Sequence, residues 1–277
     1  MAILLAILCT LSIGAGEHLA AGATKSTRSH EITSGMLASG ALLTGALALA
    51  WRGDPTTHDL VFGALAGVAN GVGILLLYLA YSRGSLRSAA PTAGVVMSAV
   101  PVLWNLTVGS VPGLLVWVGI GLGLTAIGFT SYQPDGGEDD QFAANLAIVA
   151  GVVFGILLIL LGEIGSDAGA SPLFVQRTVG LVVAVSVTRL TGPRILPATW
   201  ADRRASFIVG FFATGAVILF VLAIQAGGSL AVVSVMGSQY PAVAVLLGVM
   251  LHRQPLRWWQ GVGLAMASLA VALIAIG

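Results

Sequence analysis

Glu17 is the residue most able to do chemistry in this chain, because it is a carboxylate set inside an otherwise apolar stretch and away from any cluster of loop charges. An acid at such depth can exchange a proton for another cation and so couple a gradient to solute movement, whereas one near the end of its span would reach interfacial water beside Lys25. Asn70, Tyr78 and Tyr81 lie in a second apolar stretch and Gln225 in a third; such groups need partners away from lipid, so they are expected to face the bundle interior, toward a solute or a neighbouring helix. Arg177 interrupts a further stretch near its start and could meet an anionic group in bidentate fashion, although arginines so placed commonly snorkel to the headgroups. Ser234, Ser238 and Pro241 follow at spacings of four and three, on one helical face beside Gln239 and Tyr240, and Pro91, Ser98 and Pro101 repeat the pattern upstream. Proline removes a helical hydrogen bond, so both segments are expected to bend or unwind where they line a site. The expected substrate-binding set is therefore Asn70, Tyr78, Tyr81, Ser98, Arg177, Gln225, Ser238 and Tyr240, with Glu17 as the proton-coupling group.

Other chemistries find little support. No phosphate-binding glycine loop or HExxH pattern occurs, and His18, His30, His58 and His252 are scattered, so no metal site, catalytic residue or cofactor is expected. The acidic run Asp135, Glu138, Asp139 and Asp140 with Gly136-Gly137 matches no metal loop and reads as a solvated linker. The single cysteine, Cys9, excludes an intrachain disulfide and reads as packing.

The elements that must position these residues follow from composition. Hydrophobic residues make up 57% and charged residues 8% of 277, against about 25% charged in soluble domains. The charges are clustered, leaving uncharged windows at 1–16, 32–51, 60–82, 88–134, 141–162, 168–176, 178–188, 205–252 and 258–277. About 20 helical residues cross a bilayer. Windows 88–134 and 205–252 each hold a turn signal, Val111-Pro112-Gly113 and Gly227-Gly228, and divide in two; 168–176 and 178–188 join across Arg177. Ten spans result. Continuous apolar runs argue against barrel strands, which alternate. The N-terminal stretch lacks a basic leader and carries Glu17-His18 ahead of its small residues, so it reads as span 1 and not as a signal peptide.

A repeat at a lag of about 140 residues divides the spans. Trp117-Val118-Gly119-Ile120-Gly121-Leu122 matches Trp259-Gln260-Gly261-Val262-Gly263-Leu264; Ser98 with Pro101 matches Ser238 with Pro241; Leu79-Ala80 and Gly84 match Leu222-Ala223 and Gly227. The expected fold is an all-α membrane protein of ten transmembrane helices as two inverted five-helix repeats, 1–134 and 142–277, joined by an acidic linker at 135–141. An odd number of spans per repeat inverts the second copy, the plan of many secondary transporters. Lys25, Arg28, Arg83, Arg87, Arg189, Arg194, Arg203, Arg204, Arg253 and Arg257, ten of the 12 basic residues, fall in loops of one face. The positive-inside rule makes that face cytoplasmic and leaves both termini outside. Trp104, Trp117, Trp258 and Trp259 sit near span ends, as in an interfacial belt.

The segment Leu222-Ala223-Ile224-Gln225-Ala226-Gly227-Gly228-Ser229, with Ser234, Ser238-Gln239-Tyr240-Pro241 and Trp259-Gln260-Gly261-Val262-Gly263-Leu264, resembles the EamA-type drug/metabolite transporters. The resemblance covers essentially the whole chain and implies ten helices in two repeats and export or exchange of metabolites, amino acids, nucleotide sugars or drugs. Two features depart from the family pattern: Leu251-His252-Arg253-Gln254-Pro255-Leu256 lacks the acid usual in the turn between spans 9 and 10, and relatives are described with cytoplasmic termini. Glu17 followed by Lys25 is also similar to the first helix of small multidrug resistance proteins, where an acid binds cation and proton alternately.

The function expected from sequence is secondary active transport of a small metabolite, such as an amino acid derivative, by alternating access in the plasma or inner membrane. The protein would be a non-enzymatic exporter or exchanger, proton-coupled, acting as monomer or homodimer with no nucleic-acid partner. A lipid-carrier flippase or a multidrug cation exporter on the same scaffold is the alternative. A membrane-embedded enzyme would need converging acids or histidines that the loops do not offer.

Overall fold

The computed structural model describes residues 1–84, 86–107, 113–131, 138–252 and 258–276. Val111-Pro112, Asp135 with Gly136-Gly137, and the turn from Arg253 to Arg257 lie outside the described residues, as does the side chain of Arg87. Among the described residues there are eleven α-helices and no strand: α1 (Ala2–Ser26), α2 (Ser29–Ala50), α3 (Thr57–Arg83), α4 (Leu86–Thr107), α5 (Leu114–Ser131), α6 (Glu138–Gly162), α7 (Ser171–Thr191), α8 (Trp200–Gln225), α9 (Leu230–Gly237), α10 (Tyr240–His252) and α11 (Trp258–Ile276). Glu138, Asp139 and Asp140 thus open α6.

Seven of these segments are long and apolar enough to cross a membrane, with α9 and α10 counted together as Leu230–Leu251. Shorter apolar stretches fall at Ala89–Trp104 in α4 and Gly261–Ala270 in α11. The chain is accordingly a multi-pass α-helical membrane protein. Its outward faces carry Leu42, Leu49, Phe211, Met250 and Leu269, all exposed, which suits hydrocarbon surroundings and would be untenable in water. Trp104, Trp117 and Trp258 are also exposed near helix ends.

Helix starts are chemically marked. Thr56 caps α3 by accepting from the Asp59 backbone N–H, and Asp59 Oδ2 accepts in return from the Thr56 N–H at 2.8 Å. Thr199 caps α8 in the same way by accepting from the Asp202 N–H at 3.1 Å. Asp59 does further work through its other oxygen, which accepts from the Gly165 N–H at 2.8 Å. That contact draws the α6–α7 connection onto α3. The Asp54 N–H donates to the Asp167 carbonyl and the Ala170 N–H to the Trp51 carbonyl, so the α2–α3 and α6–α7 loops are clasped backbone to backbone. Gly169 makes this turn at φ 62, where a side chain would be strained.

The helices pair closely: α1 with α8 and α10, α2 with α7 and α8, α3 with α6 and α7, α4 with α6, and α5 with α11. Glycine spacing sets one of these seams. Gly63, Gly67 and Gly71 recur every fourth residue along α3, and a methyl group on each would lie 2.7, 2.5 and 2.9 Å from the carbonyl oxygens of Pro172, Gln176 and Gly180 of α7. Only glycine lets the two backbones approach so closely, and close approach is what holds helices together where lipid removes the hydrophobic drive.

Two clusters of buried apolar side chains fill the bundle. One draws on Ala20 and Ala23 of α1, Ile32 of α2, Ala80 and Tyr81 of α3, and Ala143 and Ala147 of α6. The other draws on Ala6 of α1, Ala66 of α3, Leu161 of α6, and Phe220 and Ala223 of α8. Because successive helices run in opposite directions, these sets lie toward opposite ends, and both reach the space between them, the first with Tyr78, Met97 and Tyr240 and the second with Leu157, Leu161 and Phe220.

Candidate functional site: a cavity at mid-height

A cavity of about 100 Å³ occupies that space. Its walls come from Ile13 and Glu17 of α1, Asn70 and Tyr78 of α3, Met97 of α4, Phe154 and Leu161 of α6, Arg177 of α7, Ala213 and Phe220 of α8, and Gly237 and Tyr240 at the α9–α10 break. Five of the nine residues expected from sequence therefore converge here: Glu17, Asn70, Tyr78, Arg177 and Tyr240. They come from widely separated parts of the chain.

Arg177 is 1% exposed and so does not snorkel to the headgroups. Its Nη2 donates to the Ala213 carbonyl at 2.6 Å, while its Nε has no partner. Gly40 of α2 makes room for it: a methyl group there would sit 3.0 Å from Arg177 Cδ. On α1, Glu17 is half-buried, and its Oε2 is fully buried with no hydrogen-bond partner. The Tyr81 hydroxyl faces this carboxyl without closing a well-aligned bond and is also unpartnered. Lys25 does not serve Glu17. It reaches the Gly84 carbonyl at 2.6 Å near the end of α3.

The remaining wall is mostly apolar. Tyr78 directs its hydroxyl to Met36 Sδ at 3.4 Å, and Tyr240 donates to the Ala90 carbonyl at 3.2 Å, tying α10 to α4. Asn70 is buried with its Nδ2 unpartnered. Cys9 lines the cavity and donates its thiol to the Ala216 carbonyl at 3.2 Å.

The other expected residues lie elsewhere. Ser98 donates to the Val95 carbonyl inside α4, and Ser238, just past the end of α9, donates back to the Val235 carbonyl of that helix, each at 2.8 Å. Gln225 ends α8 and reaches the Gly165 carbonyl at 3.4 Å, away from the cavity. The expected break near Pro241 is present, since α9 stops at Gly237 and α10 starts at Tyr240; α4 runs through Pro91 and Pro101 without one. Gln176 escaped the sequence reading although its side chain is fully buried with both amide atoms unpartnered. The signal was available, a polar amide beside Arg177 in an apolar stretch.

The chain matches no family model. It also matches no curated protein. A solved structure described only as a crystal structure of a protein aligns with a TM-score of 0.72 over 98% of this chain and 96% of its own, at 14% identity. That likeness extends to nearly the full length and shows a shared fold. Among the described residues no group of three or more His, Cys, Asp or Glu side chains is placed to hold a metal.

Proposed function

We propose that this protein is a secondary active transporter that moves a small polar metabolite by alternating access. The observation that carries the reading is the mid-height cavity, which brings Glu17, Asn70, Tyr78, Arg177 and Tyr240 together at the break between α9 and α10. Broken helices around a polar site at mid-depth are how transporters bind a solute while keeping backbone groups out of lipid.

The ten-span inverted repeat belongs to this reading. If α1–α5 are exchanged for α6–α11, with α9 and α10 as one span, α1 against α8 becomes α6 against α3, and α2 against α8 becomes α7 against α3. Likewise α4 against α6 becomes α9–α10 against α1, while α2 with α7 and α5 with α11 map onto themselves. The Thr-x-x-Asp caps of α3 and α8, and the Ser98 and Ser238 bonds, are further matched pairs. These correspondences support two related bundles that rock about the cavity, as in the EamA-type transporters the sequence resembles. Glu17 is the proposed proton carrier, and export or exchange in a plasma or inner membrane is the proposed direction.

Counterflow in sealed proteoliposomes tests the proposal. Vesicles containing the protein and preloaded with a mixture of small polar metabolites should accumulate a labelled member of that mixture above equilibrium, and vesicles lacking the protein should not. Identical uptake with and without protein, for every solute tried, would contradict it.

A further inference from the structure

We propose that the cleft formed by the α7–α8 connection binds the headgroup of an anionic phospholipid. Arg189 stands in the last turn of α7, Arg194 in the connection and Arg203 in the first turn of α8, and all three line one open cleft of about 570 Å³. Arg203 is pinned there. Its Nε donates to the Pro197 carbonyl at 2.7 Å, which leaves the two Nη groups of its fork for an anion. A fourth guanidinium stands at the start of the connection, where Gly192 leaves it room: a methyl group on that glycine would lie 2.8 Å from Arg28 Nη1.

An excess of arginine on one face is what orientation in a membrane needs, and it does not by itself make a site. Here the charges converge without a counter-charge. Among the described residues no carboxylate pairs with Arg189, Arg194 or Arg203. The acid closest in sequence, Asp202, is committed to the cap of α8, its Oδ2 accepting from Thr199 Oγ1 at 2.6 Å. Other basic residues of the same face are engaged, Lys25 on the Gly84 carbonyl and Arg83 over the Phe142 ring, 5.9 Å from its centre. Three uncompensated guanidinium groups around one cleft concentrate a positive field there.

Position in the fold selects a lipid over a dissolved anion. Trp200 opens α8 and is largely exposed, at the level where tryptophans meet headgroups. Phe207 and Phe211 follow at spacings of seven and four, so the three rings share one face of α8, and each is exposed. Leu190, beside Arg189, is exposed as well. A phosphodiester in the cleft therefore lies where its acyl chains can run down an apolar face. Anionic lipids collect in the cytoplasmic leaflet, toward which the positive-inside rule turns these loops.

Native mass spectrometry of the full chain in detergent tests this, with dioleoylphosphatidylglycerol and dioleoylphosphatidylcholine titrated separately. The anionic lipid should be retained about tenfold more tightly than the zwitterionic one. Arg189→Gln combined with Arg194→Gln, both at exposed positions, should weaken its binding on the order of twentyfold, about fivefold for each charge removed, and leave phosphatidylcholine binding unchanged. Arg194→Gln alone, confined to the connection, carries the same prediction at about fivefold if the double variant fails to fold. Arg52→Gln, which removes an exposed arginine from the opposite face, should have less than about a twofold effect. Inorganic phosphate at the lipid's concentration should not displace it. Equal retention of the two lipids overturns the proposal, as does a loss from Arg52→Gln as large as that from the double variant. Displacement by phosphate overturns it too, because the cleft would then be a site for a dissolved anion.

Discussion

Glu17 and Arg177 line one cavity without pairing, and the Tyr78 ring lies close enough to feel both charges. Opposite charges that share a buried space ordinarily close on each other, because each compensates the other's lost hydration. Here α1 and α7 hold them apart. Arg177 is fixed by the Ala213 carbonyl and given space by Gly40, and Glu17 faces Tyr81.

Glu17→Gln keeps the side chain's size but removes its proton exchange. The Tyr81 hydroxyl faces it, and Tyr78 and Tyr240 lie within its electrostatic reach with their hydroxyls turned to Met36 Sδ and the Ala90 carbonyl. If Glu17 carries the coupling proton, the variant's transport rate should become independent of pH and of an imposed proton gradient. An unchanged pH profile in reconstituted vesicles would show that coupling lies elsewhere.

Gly40→Ala tests the placement of Arg177 without touching a charge. The added methyl would lie 2.7 Å from Thr214 Oγ1 and 3.0 Å from Arg177 Cδ, so the guanidinium must shift. Solute affinity should fall about tenfold, with a loss of stability near 1–3 kcal/mol, typical of overpacking. Binding and thermal unfolding in detergent separate the two effects, and wild-type affinity would show that Arg177 is not held as described.

Gly67→Ala should destabilise the α3–α7 seam by about 1–3 kcal/mol, because its methyl meets the Gln176 carbonyl oxygen and backbone cannot yield cheaply. Gly22→Ala in α1 is the control: nothing lies within 4 Å of the added methyl, and the change should be neutral or slightly stabilising. Equal melting temperatures for the two variants would argue against close contact between α3 and α7.

Much of this architecture was legible in the sequence, and the failures have physical causes. The charge-free windows place the long helices because hydrocarbon tolerates no other pattern, and Glu17, Asn70, Tyr78 and Arg177 stood out as polar groups at apolar depth. Ser98 and Ser238 read from sequence either as lining a site or as packing, and their hydroxyls bond the preceding turn; spacing alone does not reveal which carbonyl a serine chooses. The same ambiguity sent Gln225 to a loop carbonyl. Proline patterning located the break before Pro241 but suggested another in α4, where the helix absorbs both Pro91 and Pro101. Gln176 was passed over although its type and setting matched those of Asn70.

Ser98→Ala and Ser238→Ala should accordingly leave solute transport within about twofold of wild type, since each hydroxyl is spent on the preceding turn and such a bond contributes on the order of 1 kcal/mol to stability. Asn70→Leu, which removes an unpartnered amide from the cavity wall, should reduce affinity by tenfold or more. The reverse ranking in a flux assay would mean that solute contacts the serine face.

The central claim is a solute site at mid-depth reached from each side of the membrane in turn. Ala216 lines the cavity on α8, and Cys9 is the protein's single cysteine. With Cys9→Ala removing the native thiol, Ala216→Cys places one small reporter in the wall. A membrane-impermeant thiol reagent applied separately to the two faces of sealed vesicles should label that cysteine from both. Labelling from one face alone, or from neither, would contradict alternating access to this cavity.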